Sequence, residues 1–304
     1  MSAGPPDKPG QMLRRAMARG CVAMPGAFNA GIARLVERAG FDAVYVSGAG
    51  LSNGAGGVPD IGLLGLDEVA LLAGFVARAV RIPAVVDADT GFGGPKDAAR
   101  AVERLEGAGL AGLHIEDQVF PKRCGHLGGK ELVQAPEMVQ KIRASVRARR
   151  DKDFLIIART DARAVEGFDA AVARARLYLD AGADAIFPEA LETAEEFRRF
   201  AREVRAPLMA NMTEFGKSPL LSVRQLESMG YRMVIFPMTV FRVAMKAAEK
   251  CLGDLKRRGT QRSWQGRMQT RAELYDLLGY DPMQSTWPLQ PRPQRKRRRK
   301  EASK

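Results

Sequence analysis

Between Gly112 and Lys130 the chain reads GLHIEDQVFPKRCGHLGGK. This stretch opens as a short apolar strand and delivers two carboxylates, Glu116 and Asp117. It then enters a loop that holds one thiol, Cys124, between Lys122-Arg123 and Gly125-His126. Cationic neighbours favour thiolate over thiol, the setting in which a cysteine becomes reactive. Both histidines of the chain, His114 and His126, fall within this one segment. The plain alternative is a solvated loop thiol with charged neighbours by chance.

A second group of residues suits a metal. Asp87 and Asp89 stand two apart, and on an extended strand such residues project to one face. Two carboxylates with no histidine nearby suit a hard cation, and Mg²⁺ commonly takes one or two carboxylates while keeping waters. The alternative is that one of the pair caps the helix that follows the glycine-rich turn at 91–95. Zinc fits less well, because two histidines and one loop thiol make a poor tetrahedral set. Ser47-Gly48-Ala49 opens a glycine-rich stretch running to Gly65, either a flexible loop or a backbone cradle for a carboxylate or phosphate. Asp60 is a candidate supporting partner of the metal. Glu116, Arg159 and Glu189 are equally consistent with ion pairs and with substrate contacts.

These residues need a scaffold, and the hydrophobic pattern supplies one. Apolar, β-branched runs occur at 21–24, 43–46, 84–87, 112–116, 155–160, 185–188, 208–211 and 233–236. Helical patterns lie between and after them, at 30–39, 66–80, 96–108, 137–149, 169–181, 194–204, 223–229 and 239–257, with a short helix expected near the N-terminus. Three of these end in Ala-Gly just before the next strand, where glycine supplies a left-handed helix stop. Alternating strand and helix means parallel sheet, and eight units predict closure into a (β/α)8 barrel. In such a barrel the site lies at the C-terminal strand ends. Those positions read Tyr45-Ser47-Gly48, Asp87-Asp89, Glu116-Asp117, Arg159-Asp161, Glu189, Asn211-Met212-Thr213-Glu214 and, past the last strand, Arg242.

Size and charge narrow the function classes. A chain of 304 residues with 46% hydrophobic content can form one large core without disulfides or structural metals. Three cysteines at wide spacing point to a reducing compartment, here taken as the cytoplasm. No apolar run is long enough for a membrane span, and the N-terminus lacks the apolar core of a secretory signal. The net charge is +13, but residues 291–304 alone carry eight Lys/Arg against one Glu. That basic tail predicts disorder and weak, salt-dependent polyanion binding rather than specific nucleic-acid recognition. The expected division is one barrel domain with C-terminal helices over 1–284 and a basic tail over 285–304.

The ordered motifs YVSGAG, VPDIG, VDADTGFG, GLHIEDQ, PKRCGH, ARTDARAVEG, IFPEA, NMTEFGKSP and MQTRAELY resemble the isocitrate lyase/phosphoenolpyruvate mutase superfamily over nearly all of residues 11–280. The KRCGH loop places the resemblance in the lyase branch. It implies a Mg²⁺-dependent carbon–carbon lyase on a tricarboxylate, in a barrel with a swapped C-terminal helix and a homotetrameric assembly. Asp87 and Asp89 match the magnesium pair. Ser47, Gly48, Ala49, Cys124, Gly125, Arg159, Glu189, Asn211, Met212, Thr213, Arg242 and Arg271 match substrate contacts. Tyr45, Asp60, Glu116, Lys122 and His126 match supporting or proton-handling groups, with Tyr45 a candidate base. Ala49 departs from the pattern by standing where a third glycine is common.

The implied substrate is 2-methylisocitrate, split to pyruvate and succinate in propionate catabolism. The fragment that leaves carries carbanion charge beside a carboxylate, so oriented donors are required. Arg242, Asn211 and Thr213 are the candidates, and Cys124 is the expected general acid. Phe187, Ile235 and Pro237 are expected to leave room for the methyl group. The glycine-bearing loop at 122–131 is expected to act as a lid. Isocitrate and oxaloacetate are the alternative substrates, and a polyanion-binding protein on a retired barrel is the alternative class.

Overall fold

Every strand pairs in parallel, and each reads as an apolar run because both its faces are covered. The computed structural model describes residues 7–281 and 283; the basic tail falls outside them. The strands are β1 (Val22–Pro25), β2 (Val44–Val46), β3 (Ala84–Asp87), β4 (Gly112–Glu116), β5 (Leu155–Thr160), β6 (Ala185–Pro188), β7 (Met209–Asn211) and β8 (Met233–Phe236). The helices are α1 (Pro9–Arg19), α2 (Ala30–Arg38), α3 (Gly48–Leu51), α4 (Leu66–Ala79), α5 (Pro95–Gly107), α6 (Ala135–Ala148), α7 (Phe168–Asp180), α8 (Ala194–Glu203), α9 (Val223–Ser228), α10 (Thr239–Arg258) and α11 (Arg271–Leu278).

Strands β2 to β6 pair in sequence order, and β1, β8 and β7 form a second run. Single bridges Gly26↔Tyr45 and Ile186↔Leu208 join the two runs into a closed ring. The helices are set by local signals. Asn29 accepts the Ile32 N–H (2.9 Å) at the start of α2, and Asp97 turns back to accept the Gly94 N–H (2.9 Å) at the start of α5, behind Pro95. Each such cap is worth about 1 kcal/mol.

Strand alternation sorts the core into two layers. Val44, Val46, Val86, Leu113, Ile115, Ile156 and Ala158 point outward and pack under the helices. Tyr45, Val85, Leu155, Ile157, Phe187, Met209, Met233 and Ile235 point inward and fill the barrel. Leu13, Ala16 and Met17 of α1 belong to this inner cluster, so the N-terminal helix adds its apolar face to the barrel interior. Phe187 and Ile235 are thus packed residues of the barrel interior.

The same period of two decides which polar residues face the interior. With Val85, Leu155, Ile157, Ala185 and Met209 pointing in, so do Asp87, Arg159, Glu189 and Asn211. With Leu113 and Ile115 pointing out, His114 and Glu116 point in. The described residues up to Gln261 form one compact unit, and those from Arg262, including α11, form another.

Candidate active site

Six carboxylates and three cationic side chains converge at the C-terminal rim. Arg159, at the end of β5, is the hub. Its Nη1 lies 3.1 Å from Glu116, its Nε 2.9 Å and Nη2 3.2 Å from the two oxygens of Asp161, and its Nη2 3.6 Å from Glu189. Phe187 lies under the guanidinium, 5.2 Å from its ring centre. Lys122 pairs with Asp60 and, at 2.7 Å, with Asp89. Lys130 pairs with Asp161 (2.7 Å) and donates to the Gly125 carbonyl. All three cations are buried.

Asp87 ends β3 and accepts N–H donors from Asp89 (3.0 Å) and Gly48 (3.3 Å). Burial opposes its charge, but His114, Lys122 and Arg159 outweigh it and bring its pKa down to about 2. Asp89 shows the reverse. Burial and the Asp87 charge push it up to about 6 against the pull of Lys122. Two expectations need correction here. Asp89 is not on the strand: it sits one turn beyond it at φ +47°, a left-handed conformation open to Asp through its short polar side chain. The two carboxylates nonetheless face one point, since a methyl added at Gly48 would lie 2.9 Å from Asp87 Oδ2 and 3.4 Å from Asp89 Oδ1. Nor is the pair free of histidine, because His114 Nε2 lies 3.6 Å from Asp87 Oδ1.

His114 lies within the apolar strand β4, which gave no sign of its role. Its Nε2 is 2.7 Å from the Tyr45 hydroxyl, while Nδ1 has no partner. A proton on Nε2 leaves only a lone pair orphaned, cheaper than an orphaned buried N–H. That tautomer donates to Tyr45 and leaves the Tyr45 O–H for Asp87 Oδ2 at 3.5 Å. Burial, aided by the Asp87 charge, holds the Tyr45 phenol well above its usual range. Burial likewise lowers His114 to about 4, so the ring is neutral near pH 7.

The residues present fit a small hard cation. Six carboxylates outnumber three cations in a buried cluster, and Asp89 Oδ1, Glu116 Oε1 and Glu116 Oε2 accept no well-directed hydrogen bond. Among the described residues no three His, Cys, Asp or Glu side chains enclose a metal by themselves. Mg²⁺ does not require that, because it keeps waters and substrate oxygens in its shell.

The remaining expected residues divide. Asn211 ends β7 and donates to Glu189 (3.2 Å), which also meets His126 Nε2 at 2.8 Å. Burial opposes the charge of Glu189, yet Arg159 and His126 hold its pKa well below the carboxylate range. Gly125 lies on Arg159 and Glu189, and Cys124 beside it is exposed. Ser47 caps α3 by accepting the Gly50 N–H (3.2 Å), so Ser47-Gly48-Ala49 starts a helical turn rather than a loop. The Gly48 N–H already serves Asp87. Met212 is buried, with Thr213 next to it. Arg242 is 45% exposed and meets Glu214 (3.6 Å) and the face of Phe215 rather than the Arg159 cluster. Arg271 begins α11 in the second unit.

Sequence reasoning gave no role to Asp161, Lys130 or His114. Asp161 follows Arg159 at the distance that lets one residue grip the other, a signal present in ARTD. Asp117 in turn steadies that grip by accepting the Asp161 N–H (2.9 Å), the Thr160 hydroxyl (2.8 Å) and the Tyr178 hydroxyl (2.8 Å).

The structure thus sets an acid-rich rim at the C-terminal end of a parallel barrel, with an exposed thiol on an adjoining loop. The chain matches the phosphoenolpyruvate phosphomutase family over residues 13–256 and belongs to it. It is 53% identical to the 2-methylisocitrate lyase of Aeropyrum pernix over 277 residues, covering 91% of this chain and 89% of that protein. It is 48% identical to the 2-methylisocitrate lyase of Bacillus subtilis over 257 residues, 84% of each. Among solved structures it resembles 2,3-dimethylmalate lyase, a member of the PEP mutase/isocitrate lyase superfamily. That match has a TM-score of 0.86 and 37% identity, covering 90% of this chain and 93% of that one. It also resembles phosphonopyruvate hydrolase, solved with oxalate and Mg²⁺, with a TM-score of 0.81 and 31% identity over 90% of this chain and 95% of that one.

Proposed function

We propose that the protein is a Mg²⁺-dependent lyase that splits 2-methylisocitrate into pyruvate and succinate, in propionate catabolism. The observation that carries this reading is the rim cluster of Asp87, Asp89, Glu116, Arg159 and Glu189 beneath a loop bearing Cys124. The similarity to 2-methylisocitrate lyases over about nine tenths of the chain supports it. Asp87 and Asp89 would hold the cation, with Asp60 acting through Lys122. Bound there, Mg²⁺ would lower the pKa of the substrate hydroxyl and fix it beside its carboxylate.

The chain's own residues supply the rest. Arg159 orients a substrate carboxylate, itself held by Asp161. Glu116 is the group suited to take the hydroxyl proton, since its oxygens lack well-directed hydrogen-bond donors and burial raises its affinity for a proton. Tyr45, with its proton aimed at Asp87, serves as a hydrogen-bonding neighbour rather than the base suggested by sequence. As the C–C bond breaks, its electron pair moves to the succinate fragment. Asn211, with Thr213 and Arg242, stabilises that charge, and Cys124 donates the proton that completes succinate.

The finer assembly is part of the same proposal. The chain forms a homotetramer in which α10 and the residues C-terminal to it pack on a neighbouring subunit, and it works in a reducing compartment such as the cytoplasm. No helix among the described residues is long and apolar enough to cross a membrane. The deciding experiment compares kcat/KM of purified protein with Mg²⁺ on 2-methylisocitrate, isocitrate and oxaloacetate. One methyl in an apolar pocket is worth about 10–200-fold. Equal or higher kcat/KM on isocitrate would overturn the substrate assignment.

A further inference from the structure

We propose that His126 is a positioning residue: it latches the 122–131 lid to the loop after β7 and thereby seats Cys124. Its expected effect on turnover rests on the lyase reading above, whereas its effect on the lid does not.

The ring makes two bonds that fix its protonation. His126 Nδ1 accepts the Lys217 N–H at 3.0 Å, so Nδ1 carries no proton. The proton is therefore on Nε2, which lies 2.8 Å from Glu189 Oε1 and donates to it. Asn211 donates to the other oxygen of Glu189 at 3.2 Å. One imidazole thus ties the lid to β6 and to the loop after β7. With both nitrogens engaged by protein groups, the ring has none left to exchange a proton with substrate, which sets it apart from the proton-handling role its motif suggested.

Two glycines make the latch possible. A methyl at Gly216 would lie 2.6 Å from His126 Nδ1, and one at Gly125 would lie 2.4 Å from Arg159 Nη2 and 2.5 Å from Glu189 Cγ. Neither glycine has a positive φ, so both are required for close approach rather than for a special backbone conformation. The lid thus presses on Glu189 through Gly125 and on the second loop through His126. Cys124 shares this turn, its carbonyl accepting the Leu127 N–H at 2.9 Å. Lys130 closes the far end of the loop on Asp161 and Gly125. A shift of the His126 ring therefore moves the thiol.

The test is hydrogen–deuterium exchange of the full chain with Mg²⁺, read at the lid amides and at Lys217. His126→Ala should speed exchange at both by about tenfold, the effect expected of a lost hydrogen bond. His126→Asn places an amide oxygen near the Nδ1 position and should keep Lys217 protected. His126→Gln places an amide donor near Nε2 and should not. Gly216→Ala displaces the ring without altering it, so it should match His126→Ala, and the double variant should add nothing further. In the wild-type and variant assays on 2-methylisocitrate, kcat should fall about 10–10²-fold with KM little changed, as misplacement of a catalytic group predicts. Wild-type exchange in His126→Ala, additive effects of the two substitutions, or a change in KM alone would each overturn the latch. If the wild type fails to cleave 2-methylisocitrate, the lyase reading falls, and the exchange experiment still decides the latch.

Discussion

Three residues carry the sharpest consequences. Asp89 sits between opposing charges, with Lys122 holding it and Asp87 repelling it. Asp89→Asn removes one hard ligand while preserving shape. We expect it to fold, to lose at least tenfold in apparent Mg²⁺ affinity in a turnover titration, and to regain activity only in part at high Mg²⁺. Unchanged metal dependence would remove Asp89 from the metal site. Cys124 is the expected proton donor, and losing a general acid reduces rate by about 10²–10⁴-fold. Cys124→Ala should lose that much in kcat while still binding succinate by calorimetry; a variant within a few-fold of wild type would end that role. Cys21 provides a pH test of the opposite kind. Burial first, then the charge of Glu227, raises its pKa to about 12 against the pull of Arg232. A raised pKa means less thiolate at any given pH. Labelling of Cys21 by a thiol reagent should therefore be slow at pH 8 and climb about tenfold per pH unit toward pH 12, well after the exposed Cys124 has reacted. Fast labelling of Cys21 at pH 8 would show that its surroundings open.

The elements explain why part of this site was readable and part was not. Strands buried on both faces appear as unbroken apolar runs, so five of eight match their expected ends residue for residue: 84–87, 112–116, 155–160, 185–188 and 233–236. Helix ends shifted by one or two residues, because first-turn residues such as Pro95 in α5 and Ala135-Pro136 in α6 lie outside the apolar repeat. His114 is visible in the sequence but its role is not, because strand alternation marks an inward position without saying which groups it will meet there. The left-handed turn at Asp89 had no local signal, since aspartate tolerates that geometry without requiring it. The grip of Asp161 on Arg159 depends on a side chain folding back over two residues, which no strand periodicity predicts. Asp161 also carries a stability prediction. It is fully buried, holds Arg159 through two contacts and pairs with Lys130. Removing one partner of a buried ion pair is destabilising by about 3–5 kcal/mol. Asp161→Ala should lower Tm by about 10 °C in a calorimetric scan, given a fall of about 2–4 °C per kcal/mol in a chain of this size. A loss under about 2 °C would show that solvent or Glu116 takes over the charge.

At the scale of the molecule, α10 is the element a single chain leaves unexplained. It runs for 20 residues and buries none of them, unlike each of the earlier helices of the barrel. Its first turn is docked, since Phe241 meets Phe28 edge-on with ring centres 5.2 Å apart. Four and eleven residues further on, Met245 and Leu252 continue the same stripe but remain 55% and 65% exposed. Leaving such a stripe in water forgoes a large gain, because fully burying one leucine or methionine side chain is worth about 1.5–3 kcal/mol. A helix that grips its own barrel at one end and presents an apolar stripe beyond is suited to lie on another copy of the chain. In a homotetramer each covered stripe recurs four times, so a single charge there acts on the whole assembly. Sedimentation of the wild type should give a tetramer, and Leu252→Glu should shift it toward smaller species at micromolar concentration. The barrel itself should keep its fold by circular dichroism, because Leu252 contributes nothing to either core layer. A monomeric wild type, or a Leu252→Glu variant that still sediments as a tetramer, would mean that this stripe is covered by something other than a second subunit.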